Sequence, residues 1–217
     1  MHIGHNHGPP IDGPDPEPDP AGLRLRAWRK AQRAAYRAPS IDALQRRTRR
    51  ANEMGLTYTQ FTAVVLDRGR NPTTLFFGLG GVLARLTGGA IKTDAHGAPL
   101  LMPGVKAKLS AIKPGASFVI ENADTAENRD ALLDHVRAIG RACAHAFTGA
   151  RVSAGENDLQ LPSPAMAQGL LADHGLQPGE AVMVGDSVAH EKTAERAGFG
   201  LFVWAFRYFA EKPQSRA

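Results

Sequence analysis

From Pro72 onward the chain alternates short runs that are apolar on both faces with segments of helical period, and that rhythm admits few architectures. Thr74 to Phe77, Ser117 to Ile120, Ala181 to Val184 and Leu201 to Ala205 are too short for core helices and show no polar alternation, so buried strands are expected there. Helical period falls between them, near 104–112, 125–141, 164–174 and 189–197. The helix at 164 is the best marked, with Ser163 as cap, Pro164 at the first helical position and Gly175 past the end. Strands buried on both faces and separated by helices imply a parallel sheet covered on each side. Ligands of such sheets meet the carboxyl ends of the strands. That rule gathers Gly78, Glu121 and Asp186 at one edge.

The residues before Pro72 are of another kind. Residues 1–21 hold six prolines, three histidines and four acids without a Lys or Arg, the composition of an acidic, proline-rich arm. Residues 22–50 carry ten Lys or Arg against Asp42 alone, so the net charge of +5 is local, and residues 51–217 balance at sixteen of each sign. A helix is expected over 23–37, with Arg26, Lys30, Arg33 and Arg37 on one face. A second fits 41–54, with Ser40 as cap, Gly55 as stop and Arg46, Arg47, Arg49 and Arg50 along it. Thr57 and Gln60 have the spacing of a capping box that opens a third. The expected organisation is a flexible arm at 1–21, a basic helical appendage at 22–70 and an α/β domain at 71–217. Such a density of positive charge suits a polyanion or an acidic partner surface.

A hydrophobic content of 43%, 22% charged residues and no apolar run near the ~20 residues of a membrane helix point to a globular chain that does not enter the membrane. The opening MHIGHNHGPP lacks the basic and apolar regions of a secretory signal, and one cysteine, Cys143, suits a reducing compartment. A cytoplasmic location is the expectation. Cys143 reads as a packing residue, and His2, His5 and His7 as a solvated tail.

The segments LFFGLGGVL, MPGVKAKLSAIKPGASFVIEN and LPSPAMAQGLLADHGLQPGEAVMVGDSVAHEKTAERAG, taken in order over about residues 73–207, resemble the haloacid dehalogenase-like (HAD) superfamily of phosphohydrolases. The resemblance implies a Rossmannoid, doubly wound parallel sheet, and the short gaps between the motifs imply a capless form with the helices at 22–70 as an N-terminal appendage. It also implies a site this chain departs from. Where the family has two aspartates after the first strand, a nucleophile and a general acid, the chain has Gly78 and Gly80. Where the family ends its second strand in a hydroxyl that holds the phosphoryl group, the chain has Glu121, which repels a phosphate. The family's lysine falls on Leu161, and its metal-binding acids fall on Asp186 and then on Glu191 or, by a shorter turn, His190. Loss of the nucleophile alone removes a factor on the order of 10⁶.

The sequence therefore leads to a catalytically inactive, HAD-like binding protein with no cofactor. Its partner is a protein, with nucleic acid as a second candidate, met through Arg26, Lys30, Arg33, Arg37, Arg46, Arg47, Arg49 and Arg50. The alternative is a divergent hydrolase in which Glu121, Asp186 and Glu191 bind Mg²⁺ and activate water. A dinucleotide fingerprint at Gly78–Gly81 fails because Leu83 stands where G-x-G-x-x-G needs a third small residue.

Overall fold

The computed structural model describes residues 39–84, 87, 90–120, 125–151 and 164–210. Two units divide the chain, Met1–Leu44 and Gln45–Ala217. The described residues of the first open helix α1 (Ile41–Glu53), where Ser40 Oγ accepts the Ala43 N–H at 3.3 Å. The arm at 1–21 and the helix expected over 23–37, with Arg26, Lys30, Arg33 and Arg37, lie outside the described residues.

In the second unit α1 ends at Gly55, whose φ of 64° is the left-handed conformation that favours glycine. Helix α2 (Tyr58–Arg68) opens with the expected capping box: Thr57 Oγ1 accepts the Gln60 N–H at 3.2 Å, and Gln60 Oε1 accepts the Thr57 N–H at 2.9 Å. Then follow β1 (Thr74–Gly78), a 3₁₀ turn at Leu79–Gly81, α3 (Val105–Ala111), β2 (Gly115–Ile120), α4 (Ala126–Cys143), β3 (Thr148–Arg151), α5 (Pro164–Ala172), β4 (Ala181–Gly185), α6 (Val188–Ala197), β5 (Leu201–Trp204) and α7 (Ala205–Ala210). The strands form one parallel sheet in the order β3-β2-β1-β4-β5. This is a Rossmann-like α/β fold. The chain winds from β1 outward through β2 to β3, then returns to place β4 on the other side of β1. The point where the direction reverses lies between β1 and β4.

Alternate residues of each central strand enter different apolar layers. Leu75 and Phe77, Phe118 and Ile120, Val182 and Val184 join one core with α1 to α4 and α7. Phe76, Val119, Ala181 and Met183 join a second with α5 and α6. Two elements escape the sequence reading. β3 reads Thr-Gly-Ala-Arg, with only Ala150 buried, because an edge strand is paired on one side and needs no apolar run. The run expected as a strand to Ala205 stops at Trp204, and Ala205 begins α7 instead.

The compact unit starts at Gln45, whereas the sequence reading places the start of the α/β domain at 71. Ala51, Met54, Leu56, Phe61 and Val64, from α1, α2 and their connection, belong to the same core as the sheet. Tyr208 of α7 fastens them there. Its ring packs edge-on to Phe77 at 5.8 Å, and its hydroxyl donates to the Met54 carbonyl at 2.8 Å. Lys108 Nζ donates to the Tyr208 carbonyl at 2.5 Å and lies 4.4 Å from the ring centroid. Burial pushes the Tyr208 phenol well above its ordinary pKa, so it stays a donor. Tyr208→Phe leaves the Met54 carbonyl without that hydroxyl in a buried setting. We expect a loss of about 1–3 kcal/mol, measured as a lower urea midpoint with an unchanged slope.

Candidate functional site

The parallel register brings the ends of β1, β2 and β4 to one level, with Gly78 beside Val119 and Phe77 beside Val184. Beyond β4 the chain turns through Asp186 and Ser187 into α6. Ser187 caps that helix, its Oγ accepting the His190 N–H at 3.2 Å. The cap turns His190 back toward the sheet, where it is 2% exposed. Its Nδ1 lies 2.8 Å from Ser187 Oγ and 3.0 Å from Asp186 Oδ1. An ionised carboxylate only accepts, so the Nδ1 that faces it carries the hydrogen.

This arrangement is not a nucleophilic triad. Both the serine and the aspartate meet the same ring nitrogen, so the imidazole cannot draw a proton from one while braced by the other. Ser187 serves as a helix cap.

The imidazole also gives the glycine after β1 a structural reason. A Cβ on Gly78 would stand 2.5 Å from both Cε1 and Nε2 of His190, and one on Gly185 would stand 2.5 Å from His190 Cβ. Real Cβ atoms do not approach so closely. His190 therefore occupies the room that a side chain on either glycine would need. The residue that the shorter-turn alignment puts at a metal-acid position is the one that a side chain at position 78 would meet.

A cavity of about 300 Å³ opens at the same edge. Leu79, Leu83, Ile91, Val119, Ile120 and Leu132 form its apolar walls, and Gly80, Asp186, Ser187 and His190 complete it. Ile91 comes from the segment between β1 and α3, held by antiparallel bridges from Leu83 to Leu101 and from Thr93 to Pro99. At the turn of that segment Asp94 Oδ1 accepts the N–H groups of Ala98 and His96, which hold its carboxyl below the usual range.

The residues singled out by sequence are distributed unevenly. Gly80 and Asp186 line the cavity, and Gly78 sits under His190. Glu191 is exposed in the first turn of α6 and is not among the lining residues. Glu121 and Leu161 lie outside the described residues. Arg46, Arg49 and Arg50 are exposed on α1 and Arg47 is partly so, and none of the four forms an ion pair among the described residues. Cys143 is buried in the core at the end of α4, and burial raises its thiol above the ordinary value.

Magnesium takes about six oxygen ligands in a strict octahedron. Among the described residues, no three of His, Cys, Asp and Glu stand close enough to share a cation. Among the described residues Asp186 is the one carboxylate lining the cavity, and an imidazole fills the place beside Gly78. The described donor set does not fit Mg²⁺.

No family model and no curated protein matches this chain. Among solved structures, one from Legionella pneumophila, described as a HAD superfamily (subfamily III A) hydrolase, is similar at 17% identity and a TM-score of 0.33, over 73% of this chain and 71% of that one. Among the described residues no helix is long and apolar enough to cross a membrane.

The packing of His190 on Gly78 is open to a direct test. Gly78→Ala should destabilise the protein by about 1–3 kcal/mol through overpacking. In the His190→Ala background the same change should cost less by about 1–2 kcal/mol, a coupling readable from urea unfolding of the four proteins.

Proposed function

We propose that this chain is a HAD-like scaffold whose phosphoryl-transfer position has been closed and which acts by binding, its basic N-terminal segment meeting an acidic partner. One observation carries the first half of this reading: the His190 imidazole stands where a carboxylate on Gly78 would begin. The nucleophile that the resemblance implies is missing from the sequence, and a side chain at position 78 would meet the His190 ring unless that ring moved.

The second half is supported by α1. Arg46, Arg49 and Arg50 are exposed, Arg49 and Arg50 lying three and four residues after Arg46 on α1, and Arg26, Lys30, Arg33 and Arg37 extend the same charge in sequence. We take the partner to be a protein with an acidic surface, with nucleic acid as the competing occupant. A solvated basic face needs neither, so the partner must be measured.

Assayed with Mg²⁺ or Mn²⁺ on generic phosphoesters, the purified chain should show no turnover above buffer. Metal-dependent turnover that vanishes in Asp186→Asn would instead support a divergent hydrolase built on Glu121, Asp186 and Glu191. Gly78→Asp with Gly80→Asp should give no activity either, because the first new side chain meets His190.

For the partner, Arg46→Ala, Arg49→Ala and Arg50→Ala combined should weaken capture of an acidic protein from native extract. If nucleic acid is the occupant, the triple variant should lower the slope of log affinity against log salt by up to about 3. Binding unchanged in the triple variant would exclude α1 as the contact.

A further inference from the structure

We draw no further inference here: the strongest candidate, the row of partly exposed aromatic rings Phe202, Trp204 and Phe206 at the edge strand β5, is an apolar surface patch, and nothing in the structure shows what covers it.

Discussion

Strand β1 is hydrogen-bonded along both edges, to β2 and to β4, and Leu75, Phe76 and Phe77 are fully buried on the two faces between them. A strand held this way cannot slip by one residue without exchanging its two apolar layers. Its end is therefore a fixed point. Gly78 stops at the level of Val119, and the turn after β4 delivers His190 against it to within the tolerance of a single methyl group. The site inherits its accuracy from the parallel register.

That accuracy changes the meaning of the glycines. Read as letters, Gly78 and Gly80 stand where the resemblance to a phosphohydrolase pattern would put two carboxylates. In three dimensions Gly78 is a position with a requirement of its own, since the imidazole of a buried, hydrogen-bonded histidine rests on it.

Much of the architecture was legible along the chain. The strands at β1, β2 and β4 are short and apolar because a parallel sheet covered on both faces has no polar side, and the caps at Ser40, Thr57 and Gly55 are local in origin. β3 was illegible because an edge strand is specified by its neighbour. Gly149 suits it because Leu133 and Ile120 close over the position, and neither is near in sequence. The helices from Gln45 to Arg68 looked like an appendage because their charge dominates their composition. Their few apolar residues, Ala51, Met54, Leu56, Phe61 and Val64, nevertheless fall in the core of the sheet. Of the site, Gly78, Gly80 and Asp186 could be named from the strand ends, and His190 only as one of two alignments.

The sequence by itself determined that this chain builds a covered parallel sheet and that glycines, at positions 78 and 80, follow its first strand, because periodicity, caps and the absence of a side chain are properties of neighbouring residues. Only the tertiary structure decided what stands in the place left open. The distance from the His190 ring to Gly78 depends on the register of β1 against β4 and on the turn through Asp186 and Ser187. The first of these pairs residues more than a hundred positions apart in the sequence, and no local pattern encodes it.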